Sequence, residues 1–218
     1  EIPRRTVIGD LGGAINVQMT RNDRILATKY PVWFDVKEDG LVSDEVVTSG
    51  LSRVSLRSAG YIKHSPQQAL KFQPILLASK ASGLIDVSKI EYAPNPVEIL
   101  ANLQKTPEQK VLMARLSGAF KTAFPDGMPG PKVNGENNLL HLNNSAEPTA
   151  VVIVADADLL ADEAWLENKN IGGQILKVPF ANNGNLVVNA LEQLVGTSSM
   201  VGLRGKGTLK RRFTLLEK

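Results

Sequence analysis

The chain has 218 residues, of which 43% are hydrophobic, 22% charged and 5% aromatic. One domain or a tightly joined pair of this size buries about 70–75% of the surface its unfolded chain exposes. There is no cysteine, which excludes disulfides, thiolate nucleophiles, iron–sulfur clusters and cysteine-based zinc sites. Twenty-five basic residues against 22 acidic ones leave +3, too small a bias to argue for nucleic acid, and no run approaches the ~18 consecutive apolar residues of a membrane span.

Ile15, Val17 and Met19 alternate before Arg21-Asn22-Asp23-Arg24, and Ile25 and Ala27 follow, which predicts a hairpin. Val54 and Leu56 alternate in the same way, and Ile75 to Ala78 is a short apolar run suited to a buried strand. Asn95-Pro96 before Val97, Ile99, Leu100 and Leu103 predicts a short helix with Asn as its cap and Pro at its first position. Val111 to Phe120 is expected to be a further strand.

Three Pro and three Gly between Pro125 and Asn138 allow neither helix nor central strand. Residues 125–148 are therefore expected to be a Pro/Gly/Asn-rich loop. It separates an irregular, β-rich α/β portion, 1–124, from a strand-helix-strand portion of the same domain, 149–205. Ala150 to Ala155 is continuously apolar and β-branched, as in a central strand covered on both faces. Asn182 or Asn183 can cap a helix whose apolar positions are Leu186, Val187, Ala190, Leu191, Leu194 and Val195, and Gly196 stops it. Met200 to Leu203 can return as the next strand, so the expected fold is α/β, a layered sheet with flanking helices. Residues 206–218 read as a basic tail. Because the numbering opens on Glu1 with no signal peptide, a segment of a longer chain is expected.

The residues able to carry chemistry are few. Asp156 and Asp158 follow the apolar strand, where open α/β sheets bind ligands, and two carboxylates there can hold Mg²⁺ or Ca²⁺. The simpler reading has them organising the turn by accepting backbone N–H bonds. Neither His64 nor His141 lies in a ligand pattern, and no nucleophile elbow occurs. Gly205-Lys206-Gly207 has Lys210 where a dinucleotide fingerprint needs its third Gly, and there is no Walker sequence. Arg204, Lys206, Lys210, Arg211 and Arg212 suit either anionic head groups, an acidic partner or plain solvation. Tyr30, Trp33 and Trp165 can stack on a sugar or seat a partner, or can close loops onto the core.

The ordered segments VVIVADADLLADEAW (Val151 to Trp165), PFANNGNLVVN (Pro179 to Asn189) and ALEQLVGTSSMVGLRG (Ala190 to Gly205) resemble the extracytoplasmic part of the GldG family. TVIGD (Thr6 to Asp10), YPVW (Tyr30 to Trp33), ILLAS (Ile75 to Ser79) and ARLSGAFKTAF (Ala114 to Phe124) resemble its upstream segments in the same order. That family is the auxiliary component of uncharacterised ABC-type transport systems associated with gliding motility. The resemblance implies a fold like part of a class I glutamine-amidotransferase-like domain without its catalytic machinery. It also implies a periplasmic region tethered to the inner membrane in the full-length protein, no cofactor, and permease and ATPase subunits as partners. An envelope glycan or small ligand is a further expected partner; nucleic acid is not. The rival readings are a metal-dependent hydrolase built on Asp156 and Asp158, and a carbohydrate-binding module built on the aromatic rings.

Overall fold

The computed structural model describes residues 1–21, 24–65, 70–127 and 141–196. In chain order its regular elements are β1 (Thr6–Asp10), β2 (Ala14–Arg21), β3 (Arg24–Val36), β4 (Val54–Arg57), β5 (Lys71–Leu77), β6 (Ser82–Asp86), α1 (Pro96–Asn102), β7 (Val111–Gly118), β8 (Thr149–Val154), α2 (Asp162–Trp165), β9 (Leu166–Ile171), β10 (Gln174–Pro179) and α3 (Asn183–Leu194). Among the described residues every strand pair is antiparallel. Two sheets have three strands, β2-β3-β4 and β5-β7-β8, and two are ribbons, β1-β6 and β9-β10.

The β2–β3 hairpin forms as the alternation predicts, with Arg21 opposite Arg24 and Val17 opposite Thr28. Its register breaks where Ile15 faces Tyr30 but Ala14 faces Phe34. Pro31 stands in that break and has no N–H to give a ladder. There the Val32 carbonyl instead accepts from Ser58 N at 3.0 Å. β3 continues inward, and its Phe34 and Val36 meet Leu56 and Val54 of β4.

Phe34, Leu56, Ile75, Leu76, Leu112, Met113 and Leu186 form the main core with Ile8. A second cluster, Val7, Tyr30, Val32, Ile85 and Ile99, lies where β1, β3, β6 and α1 meet. α1 starts as expected, since Asn95 Oδ1 accepts from Val97 N and Glu98 N and Pro96 needs no partner. The β9–β10 hairpin turns on Gly172 and Gly173, whose φ of +61° and +85° are the left-handed values a two-residue hairpin turn requires.

Two expectations change. Thr149–Val154 is an outer strand among the described residues, paired only with β7, and Val151 is 42% exposed. An apolar run records side-chain burial, and here α3 and the core cover Val152 and Val154 without a neighbouring strand being required. α3 does begin after Asn182, but the Asn182 side chain does not cap it. Its Oδ1 accepts instead from Ser52 N at 3.0 Å and Arg53 N at 3.1 Å. Gly196, at φ +86°, ends the helix region with its N–H on the Gln193 carbonyl. Leu186 and Ala190 of the apolar stripe are buried, whereas Leu191, Leu194 and Val195 are exposed. Met200 to Leu203, Arg204 and the basic tail lie outside the described residues.

Asn183 is fully buried and replaces a strand partner for Ser55. Its Oδ1 accepts from Ser55 N at 2.9 Å, and its Nδ2 donates to the carbonyls of Ser55 at 2.7 Å and Leu159 at 2.8 Å. Asn183→Ala strands three buried backbone groups and should cost about 2–4 kcal/mol in denaturant unfolding, against about 0.5 kcal/mol for Asn102→Ala at the exposed end of α1.

Candidate functional site

The site grows from the outer edge of β4. Strand N–H groups alternate between edges, and those of Arg53, Ser55 and Arg57 all point away from β3. Each finds a side-chain oxygen: Asn182 Oδ1, Asn183 Oδ1 and Asp156 Oδ2, the last at 2.8 Å. Asp156 leaves β8 just where Ala155 O accepts from Gly60 N at 2.7 Å. Its other oxygen, Oδ1, accepts from Asp158 N at 2.8 Å, which closes the turn through Ala157. Both carboxylate oxygens are thus occupied by backbone. Burial raises the Asp156 carboxyl above its ordinary range against the lowering pull of these two N–H bonds and of Arg57. Asp158 itself is exposed.

Trp33 faces Arg57 across the β3–β4 pair. The Arg57 guanidinium lies 4.8 Å from the Trp33 ring centroid, and the Tyr30 ring meets Trp33 edge-on at 5.4 Å. Arg57 Nη2 reaches the Glu163 carbonyl of α2 at 3.4 Å. Its Nη1 is buried without a hydrogen-bond partner among the described residues, as is Asp35 Oδ1. Desolvation is the largest influence on this guanidinium and lowers its pKa, while Asp35, Asp156 and Glu163 act to keep it charged. Ser58, directly after it, has φ +55°, an uncommon value for a residue with a Cβ.

The three rings singled out from the sequence differ in exposure. Tyr30 is 6% exposed and belongs to the second core cluster, whereas Trp33 is 39% exposed. Trp165 is half-buried against Gly184 of α3, with Nε1 on the Leu160 carbonyl at 3.5 Å. Arg57 joins Trp33, Asp156 and α2 into one surface. The sequence reading passed over it. Val54-Ser55-Leu56-Arg57 placed it opposite the core face, but only the β3 register puts it on Trp33.

Of the two buried carboxylates Asp10 is engaged in the same manner, whereas Glu45 has one oxygen on an arginine and its Oε2 buried without a hydrogen-bond partner among the described residues. Asp10 accepts from Gly12 N at 2.8 Å and Ser79 N at 2.6 Å, and Glu45 Oε1 meets Arg115 Nη2 at 3.3 Å. Among the described residues no group of three or more His, Asp and Glu is arranged to hold a metal ion. No helix among them is long and apolar enough to cross a membrane.

A family model described as "ABC-type uncharacterized transport system" matches residues 1–190. No curated protein and no solved structure matches the chain.

Asp156→Asn keeps one acceptor but turns an NH₂ group toward a backbone N–H, so it should lose about 1–3 kcal/mol of stability. The pH dependence gives the sign. A carboxyl raised by folding stabilises the native state below the unfolded value of about 3.9, and that contribution fades as pH rises through the higher folded value. Unfolding free energies measured across this acid range should therefore fall less steeply with rising pH in Asp156→Asn than in the parent chain.

Proposed function

The chain belongs to the ABC-type uncharacterized transport system family and is an auxiliary component of such a system, and we propose that it acts there as a non-catalytic periplasmic binding domain. In this reading it belongs to the GldG-like branch associated with gliding motility, and the full-length protein is held at the inner membrane. Its partners are the permease and ATPase subunits. A class I glutamine-amidotransferase-like ancestry without the catalytic machinery is part of the same proposal.

The observation that carries the proposal is the state of the Asp156 carboxylate. Asp156, the residue best placed for chemistry at the end of β8, has both oxygens on backbone N–H groups. Each oxygen keeps a further lone pair, but both are fixed on the turn and the β4 edge. What the same region offers outward is Trp33 with Arg57 stacked on it. Trp and Arg are the residues that most often anchor protein interfaces, because each buries a large surface while retaining a polar handle. An envelope glycan would need Trp33 as its stacking face, since Tyr30 is buried and Trp165 lies against Gly184.

Two measurements follow. A photo-crosslinking residue replacing Trp33 in the full-length membrane-associated protein should yield adducts with the transporter subunits, while one replacing Tyr92, 88% exposed in the loop before α1, should yield few. Equal adducts at both positions would remove Trp33 from the interface. Because residues 1–218 contain no cysteine, a cysteine introduced there can report on this region. Tyr92→Cys should react with a membrane-impermeant maleimide in cells whose outer membrane alone has been permeabilised. Labelling only after lysis would contradict a periplasmic location.

A further inference from the structure

A separate cleft of about 360 Å³ opens where the segment following β4 crosses the start of β7. Ile62 N donates to Val111 O at 2.7 Å, and the two residues form an antiparallel bridge. In that register the residue after Ile62 stands opposite the residue before Val111, so Lys63 faces Lys110. Each ammonium lies 5.9 Å from the ring centroid of buried Tyr61. Like charges placed directly opposite each other destabilise a strand pair, so this arrangement costs stability by itself.

The acidic group lining the cleft is Glu108, whose Oε2 lies 3.6 Å from Lys110 Nζ. The Glu108 side chain is 83% exposed and that of Lys110 only 20%. An exposed partner at this distance adds little, and a better-placed anion would displace it. His64 completes the wall, with its imidazole stacked on Phe72 at 4.4 Å and 18° between planes. Two ammonium groups line the cleft, and each carries three N–H donors. That suits the three or four oxygens of a tetrahedral anion better than the two coplanar oxygens of a carboxylate.

We propose that this cleft binds a phosphate group between Lys63 and Lys110, carried either by a lipid headgroup or by a soluble phosphate ester. The site does not depend on the Trp33–Arg57 surface or on the role assigned to it. Its ligand would relieve the opposition of the two lysines, so binding should stabilise the fold.

The test titrates the 218-residue chain with glycerol phosphate and pyrophosphate at constant ionic strength, and separately floats it with phosphatidylcholine vesicles containing or lacking phosphatidylglycerol. A saturable rise in melting temperature with the soluble anions identifies a soluble ester, and flotation only with phosphatidylglycerol identifies the lipid. Either signal should weaken at least tenfold in the Lys63→Ala/Lys110→Ala double variant and persist in Lys110→Arg. Without ligand, Lys63→Ala should melt no lower than the parent chain, because it removes the opposed charge. Absence of saturable binding in both arms, or equal binding by the double variant, would overturn the proposal.

Discussion

The outer edge of β4 is the constraint on which the arrangement around it depends. An unpaired strand edge presents a row of N–H and C=O groups that must be satisfied, and proteins that leave it bare invite association. Here no strand covers it among the described residues. Three side chains do so, supplied by residues from the end of β8 to the first residue of α3: Asp156 at Arg57, Asn183 at Ser55 and Asn182 at Arg53. Asn182 N also donates to the Arg53 carbonyl at 2.8 Å, and Asn183 Nδ2 to that of Ser55, so the edge is matched in both senses.

This clasp ties residues 99 to 129 positions apart and sets where α2 and α3 lie. With α3 docked, Leu186 and Ala190 enter the core beside Leu56 and Met113. Asn189 Nδ2 then reaches the Val47 carbonyl at 3.0 Å. With α2 docked on β4, the Glu163 carbonyl reaches Arg57 and leaves its guanidinium over Trp33. The exposed aromatic surface is therefore a product of the same hydrogen bonds that occupy Asp156. A carboxylate held by two backbone donors and a guanidinium held over an indole face fix the geometry of the surface proposed above for partner binding.

Local chemistry was legible in the sequence, and long-range pairing was not. The β2–β3 hairpin could be read because alternation continues across a short turn, and α1 because its cap and its Pro are adjacent. The apolar run of β8 identified a strand but not its place in the sheet, since side-chain patterning says nothing of which edge is paired. Asn182 marked the start of α3 correctly while its side chain went to β4, a competition decided by an edge far away in sequence. β9 escaped notice because Leu-Glu-Asn-Lys-Asn-Ile is mostly polar and exposed, although Gly172-Gly173 was available as a turn signal. Arg57 and the opposed Lys63 and Lys110 belong to no motif, and only register brings their partners to them.

Native-state amide exchange tests the edge clasp most directly. The N–H groups of Arg53, Ser55 and Arg57 should exchange as slowly as those of Val54 and Leu56, which bond within the sheet, with Asp156→Asn accelerating Arg57 and Asn183→Ala accelerating Ser55 first. Fast exchange of Arg53, Ser55 and Arg57 in the unaltered protein, beside a slow Val54 and Leu56, would contradict it and leave Asp156 free for other work.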